Sequence, residues 1–257
     1  MVAILLCAGF GTRLSPLTKN RPNALLDIAG KPVLDYQIEQ LLDLDDLREI
    51  HVVMNSHFAS HFYRWWIEWR DRCEKRGITL ILHNDGSVDD DHRLGEVGDL
   101  GFVLRRLDPT SGAIVSAGDN IYRFSLTPIW DRFRNSGENV VLAFPETHHQ
   151  VLQQHTVIEF DDDRRLTAVH DKPQEAPSQW VCPRLYFLQP AALASVGEYL
   201  SAAGEKDRLA RFLGYLAEHQ PVRVLEMPSG SMRLHVNTRY MYEKAREALA
   251  REAVVVE

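Results

Sequence analysis

With 257 residues, 45% of them hydrophobic, the chain can fill a sizeable core and has an ordinary length for one large α/β domain. Its 29 lysines and arginines against 36 aspartates and glutamates give a formal charge of -7. That balance argues against a broad footprint on nucleic acid or an anionic membrane, and leaves room for a local basic pocket around a small anionic substrate. Three cysteines, Cys7, Cys73 and Cys182, are widely spaced, odd in number and in no metal-ligand pattern. They fit a reducing compartment and small buried hydrophobes.

The first apolar run covers only residues 2–7, has no basic stretch before it, and feeds a glycine loop. It therefore reads as a buried strand, neither signal peptide nor membrane span, and a soluble cytoplasmic protein is expected. The strand runs into Ala8-Gly9-Phe10-Gly11-Thr12-Arg13-Leu14, then Pro16-Leu17-Thr18, Arg21-Pro22-Asn23-Ala24-Leu25 and Gly30-Lys31-Pro32. Two glycines two apart let the backbone turn tightly and bring its N–H groups against a phosphate or a base edge, while Arg13 can grip phosphate oxygens in a bidentate fork. The third glycine of a dinucleotide fingerprint is missing, and no Gly-Lys-Ser/Thr closes a P-loop.

Beyond the loop, residues 33–44 carry Leu34, Ile38, Leu41 and Leu42 at helical spacing after Pro32. Short β-branched and apolar runs follow at Glu49–Met54, Thr79–Leu82, Ala113–Ser116, Val140–Phe144, Thr156–Phe160, Gln179–Leu188 and Val222–Leu225, with amphipathic segments between many of them. This alternation predicts a doubly wound α/β fold with a mixed, mostly parallel sheet and helices on both faces. Segment 57–76 places Phe58, Phe62, Trp65 or Trp66, Trp69 and Cys73 on one stripe, which predicts core packing, with a partner surface as the alternative. Residues 156–169 around Asp161-Asp162-Asp163 read as an antiparallel hairpin with a solvated acidic turn. The tail from Thr238 to Ala253 is helical by composition. No repeat or linker divides the chain.

The strand Ile114-Val115-Ser116-Ala117 ends in Gly118-Asp119-Asn120, which sets a carboxylate at a carboxyl strand end, where ligands of open α/β sheets gather. Taken together, Gly-x-Gly-Thr-Arg-Leu, Pro-Leu-Thr, Gly-Lys-Pro, Gly-Asp-Asn and His170-Asp171-Lys172-Pro173 resemble the sugar-phosphate nucleotidylyltransferases, the family that includes glucose-1-phosphate thymidylyltransferases and mannose-1-phosphate guanylyltransferases.

That resemblance implies a single nucleotide-diphospho-sugar transferase-like domain over residues 1–257. It would have a nucleotide-binding half (1–125), an acceptor-binding half (126–235) and a C-terminal helix (236–257). It also implies an NTP and a sugar 1-phosphate or related phosphate as partners and magnesium as cofactor, with neither nucleic acid nor membrane, and leaves a homo-oligomer open. Ala8, Gly9, Gly11, Thr12, Arg13, Asn84, Gly95 and Asp119 fall where the family binds nucleotide. Thr156, Asp171, Lys172 and Arg184 fall where it binds the acceptor. Arg13, Asn23, Asp119 and Lys172 occupy the catalytic positions, and Asp119 holds the metal, with His235 as a candidate second ligand.

The departures are specific. Asn23 stands where the family has a phosphate-binding lysine, and His235 where it has a second metal-binding acid, although imidazole suits metals softer than magnesium. Cys182-Pro183-Arg184 replaces small residues of the sugar pocket. Two readings follow: an active nucleotidyltransferase, or a catalytically impaired nucleotide-binding or regulatory homologue that keeps the fold.

Overall fold

The computed structural model describes residues 1–107, 110–202, 205–227 and 230–255, with side chains through Glu252. Three loop stretches and the last two residues of the expected C-terminal segment lie outside the described residues. The elements are β1 (Val2–Leu6), β2 (Asp27–Ile28), β3 (Lys31–Pro32), α1 (Val33–Leu41), β4 (Glu49–Met54), α2 (Ala59–Glu74), β5 (Thr79–Asn84), α3 (Glu96–Leu104), β6 (Ala113–Ala117), β7 (Asn120–Arg123) and α4 (Thr127–Ser136). They continue with β8 (Asn139–Pro145), α5 (His149–Leu152), β9 (Thr156–Phe160), β10 (Leu166–Asp171), β11 (Trp180–Val181), β12 (Leu185–Leu188), α6 (Pro190–Ser201), α7 (Leu209–His219), β13 (Val222–Glu226), β14 (Met232–His235) and α8 (Arg239–Val255). The fold is the expected mixed sheet with helices packed on it.

The chain gathers into two compact units, each built from separated segments. One takes Met1–Ile4, Leu94–Ser116 and Thr127–Ser231; the other takes Leu5–Arg93, Ala117–Leu126 and Met232–Glu257. In the first, strands follow the order β10-β9-β11-β8-β12-β6, with β13 also paired to β8. β12 runs antiparallel to both β6 and β8, whereas β13 is parallel to β8. The β9–β10 hairpin forms as expected, with Phe160 opposite Leu166 across the acidic turn. The run Gln179–Leu188 divides into β11 and β12. Its cause is Pro183, which has no N–H for a ladder and whose carbonyl accepts from Leu185 N at 2.8 Å.

In the second unit β4 and β5 are parallel, with Met54 in register with Asn84. Two short antiparallel pairs, β14 with β7 and β2 with β3, lie apart from them. Ile28, Val33, Tyr36, Ile121, Val236, Ala245 and Leu249 form a small core that seats α8. The first turn of α1 carries a buried acid, Asp35, whose Oδ1 accepts from the indole N–H of Trp65 at 2.7 Å and of Trp69 at 3.0 Å. The aromatic stripe of α2 is thereby core. Phe58, Phe62, Trp65, Trp69 and Cys73 are buried, and burial pushes the Cys73 thiol up to about 11. Trp66 points elsewhere and donates to Leu80 O at 2.8 Å, while Tyr63 and Ile67 are exposed.

Burial also raises the Asp35 carboxyl above its ordinary value, against the lowering effect of the two indole hydrogen bonds. The folded state thus holds this proton more tightly than the unfolded chain. Its stabilising contribution is complete below about 3.8, the free carboxyl value, and is lost as pH rises through the raised folded value. Asp35→Leu leaves two buried indole donors without an acceptor, and we expect a loss of about 2–4 kcal/mol in urea unfolding at neutral pH. Asp35→Asn keeps an acceptor and removes the ionised form, so it should lose less than half as much and flatten the pH dependence.

Candidate functional site

All the expected nucleotide-side residues except Gly95 lie in the second unit, and all the acceptor-side residues lie in the first. The loop after β1 is held from several sides. Cys7 N donates to Val53 O at 2.9 Å, and the buried Asn55 amide donates to Ala8 O at 2.9 Å while its Oδ1 caps Phe58 N at the start of α2. Gly11 takes a left-handed conformation, and Thr18 Oγ1 donates to Gly11 O at 2.8 Å. These bonds fold residues 12–14 into a single helical turn that buries Leu14 and leaves Thr12 and Arg13 exposed. Arg13 has no hydrogen bond or ion pair to the described residues, so its fork of donors is available to an anion. Asn23 packs beside Gly11: a Cβ built on that glycine would lie 3.4 Å from the Asn23 Cβ.

Asn84, at the end of β5, is tied to the same region through residues 55–56. Its Oδ1 accepts from Ser56 Oγ and from Gly86 N, both at 2.9 Å. The side-chain amide is therefore oriented, with its two donors left for a ligand such as a base edge.

The turn after β6 carries the buried acid. Gly118 N donates to Leu6 O at 2.9 Å, and a Cβ on Gly118 would fall 2.3 Å from Cys7 Sγ, so only glycine allows this approach to the end of β1. Gln37, buried on α1, donates to the carbonyls of Ala117 and Asn120, each at 2.9 Å, and pins the turn from the other side. Asp119 emerges from it with Oδ1 accepting from Asn120 Nδ2 at 3.0 Å and Oδ2 lying 3.2 Å from His235 Nε2. β14 supplies that histidine in register with Asn120, and Val236 N donates to Asp119 O at 2.7 Å. The structure thus brings Asp119 and His235 together. Among the described residues no group of three or more His, Cys, Asp and Glu side chains forms a metal cage.

In the other unit Lys172 follows β10 with φ of 53°, a left-handed backbone that a non-glycine residue adopts at a cost of roughly 1 kcal/mol. Its N–H bonds to His155 O at 3.1 Å. Thr156 is buried opposite Asp171 in the hairpin. The Asp171 carboxylate accepts from Arg208 Nη1 at 2.7 Å, which raises the guanidinium's proton affinity further. Arg184 pairs with Glu96, whose second oxygen accepts from Leu209 N at 3.0 Å at the start of α7. Gly95 opens α3 with φ of 83°, and the space where its Cβ would stand is taken by Lys206 O and Asp207 Oδ1, each at 2.5 Å. Lys206 O also accepts from Val97 N at 2.8 Å. Chain packing at 206–207 accounts for the glycine at 95.

Glu96, Arg208, Asn55 and Gln37 went unmarked by the sequence. Asn55 and Gln37 are polar residues inside otherwise apolar segments, a signal that could have found them; Arg208 carries no comparable signal.

A glycine-arginine loop follows the first strand, and an acid follows β6 in the same unit, the placement that the nucleotidyl-transfer class calls for. Residues 2–227 match the nucleotidyl transferase family, and the chain belongs to that family. It is 27% identical over 198 residues to the UTP–glucose-1-phosphate uridylyltransferase AglF of Haloferax volcanii, covering 74% of this chain and 73% of that one. It is also 27% identical over 195 residues to the mannose-1-phosphate guanylyltransferase catalytic subunit beta of Drosophila pseudoobscura pseudoobscura, covering 76% of this chain and 49% of that one. The chain thus spans about half of that second, longer relative. Its fold resembles a Bacillus anthracis protein named as a glucose-1-phosphate thymidylyltransferase and solved with sucrose. There the TM-score is 0.83 at 19% identity, over 98% of this chain and 96% of the other. No helix among the described residues is long and apolar enough to cross a membrane.

Gly95→Ala must displace backbone as well as enter an unfavourable dihedral region, so we expect a loss of about 2–4 kcal/mol. Thermal unfolding should show it as a lowered midpoint, whereas Gly9→Ala, with nothing within 4 Å of the new methyl, should leave the midpoint near that of the parent protein.

Proposed function

We propose that the chain transfers a nucleotidyl group from an NTP to a sugar 1-phosphate or similar phosphate acceptor, releasing an NDP-sugar and pyrophosphate. One observation carries this reading: Arg13 stands exposed and uncommitted on a loop whose backbone is fixed to the strand end that also supports the Asp119 turn. In the reaction an acceptor phosphate oxygen attacks the α-phosphorus in line. The bond from that phosphorus to the β-phosphate oxygen breaks, and pyrophosphate leaves with the bonding pair. Such chemistry asks for positioning and charge neutralisation more than for acid–base groups.

In this scheme the loop amides of Ala8, Gly9, Gly11 and Thr12 cradle the phosphates and Arg13 clamps the departing pair. Asn84 presents amide donors to the base. Lys172, pre-set by its left-handed backbone, holds the acceptor phosphate, while Thr156, Asp171 and Arg184 shape the acceptor side. Arg208 occupies Asp171, so that carboxylate acts in the acceptor pocket as part of an ion pair. A bound divalent cation would add charge neutralisation at the phosphates. Asp119 fits such an ion as a hard oxygen donor, but the adjacent imidazole does not suit magnesium. The thiols of Cys7, Cys73 and Cys182 are buried.

Asn23 supports the second reading, a nucleotide-binding homologue with weak turnover. It stands against Gly11 and contributes no positive charge to the phosphates. Loss of one preorganised charged donor commonly costs on the order of a hundredfold in rate.

Pyrophosphate release, followed with each NTP against a panel of sugar 1-phosphates and other phosphate acceptors, tests the proposal. At least one pair should turn over, and Arg13→Ala should slow that pair by about a hundredfold or more. Nucleotide binding without release for any pair would favour the homologue reading; no nucleotide binding would overturn both. If the native site is impaired, Asn23→Lys should raise the rate. A fall would mean that the site is built around asparagine.

A further inference from the structure

We propose that His235 is a metal ligand and that the Asp119–His235 pair makes this protein selective for a divalent transition ion such as Mn²⁺ or Co²⁺ over Mg²⁺. The proposal rests on the nucleotidyl-transfer reading only for its purpose; the metal preference stands on the pair itself.

Two donor atoms bound side by side to one small divalent ion, each at about 2.1 Å, lie about 3.0 Å apart. Asp119 Oδ2 and His235 Nε2 are 3.2 Å apart, with their side chains only 12% and 10% exposed. Both are fixed by main chain: β14 holds His235 opposite Asn120, and Val236 N bonds to Asp119 O. The other Asp119 oxygen is occupied by Asn120, which leaves Oδ2 as the oxygen facing the imidazole. A cation entering here takes one carboxylate oxygen and one imidazole nitrogen. Its remaining positions fall to water and, when nucleotide is present, phosphate oxygens. Mg²⁺ demands near-ideal octahedral oxygen donors and gives up water reluctantly, whereas the first-row transition ions gain affinity for a mixed nitrogen and oxygen site in the order Mn²⁺, Fe²⁺, Co²⁺. The difference between histidine and an acid at position 235 is therefore a difference in which ion binds.

The test uses the full chain and the metals alone. Mn²⁺ added to the nucleotide-free protein and followed by electron paramagnetic resonance should bind one site, with pulsed spectra showing coupling to a histidine nitrogen. Mg²⁺ should displace it only at a concentration at least tenfold higher. His235→Asp should remove the nitrogen coupling and shift the Mg²⁺-to-Mn²⁺ affinity ratio at least tenfold towards Mg²⁺. Asp119→Asn should weaken both ions. The proposal is overturned if wild type binds no Mn²⁺, if bound Mn²⁺ shows no nitrogen coupling, or if folded His235→Asp keeps the wild-type ratio. The wild-type spectra and competition decide the matter should His235→Asp fail to fold. Pyrophosphate release with Mn²⁺ and Mg²⁺ is read separately: no release with either, alongside nitrogen coupling and Mn²⁺ preference, supports the metal site and counts against the transfer reaction alone.

Discussion

The unit that carries the glycine-arginine loop depends on one close approach, that of Gly118 to the end of β1. Its N–H reaches Leu6 O, and the missing Cβ makes room for the Cys7 sulfur. From this contact follow the position of Asp119, the exit direction of the loop through Arg13, and the seat of Gln37, which gathers the Ala117 and Asn120 carbonyls. A methyl group at 118 would push the acid-bearing turn away from the loop it serves. Hydrogen bonds to main-chain carbonyls, given by Gly118 N and by the side chains of Gln37, Asn55 and Thr18, therefore set the frame.

The unit that carries Asp171 and Arg184 is held differently. Its carboxylates are engaged by guanidinium groups: Asp171 by Arg208, and Glu96 by Arg184 and an N–H of α7. These pairs are part-exposed, so each contributes little to stability by itself. What they do is fix side-chain direction. Lys172, next to Asp171, keeps a left-handed backbone with φ of 53°.

Departures from the family pattern acquire physical content in this setting. Asn23 keeps its place against the glycine loop without supplying charge. His235 stands beside Asp119 with an imidazole nitrogen facing the carboxylate. Main-chain geometry fixes both positions: a helical turn after Pro22 in one case, and the β7–β14 ladder in the other.

The sequence by itself determined the main strand runs, the glycine-arginine loop and the strand-end acid, because periodicity and spacing are local properties of the chain, and its motifs resembled the family that residues 2–227 match. The aromatic stripe of α2 was legible as core for the same reason, though Asp35 as its shared acceptor was not. Tertiary structure alone decided that β12 runs antiparallel between β6 and β8, and that Pro183 divides one apolar run into two strands. It set the 3.2 Å distance between His235 and Asp119, 116 residues apart in sequence, and it alone brought Arg208 to Asp171. It also decided that Gly95 is required by the chain at 206–207. These are contacts between residues remote in sequence, and no local pattern encodes which partner a buried charge or a missing Cβ will meet.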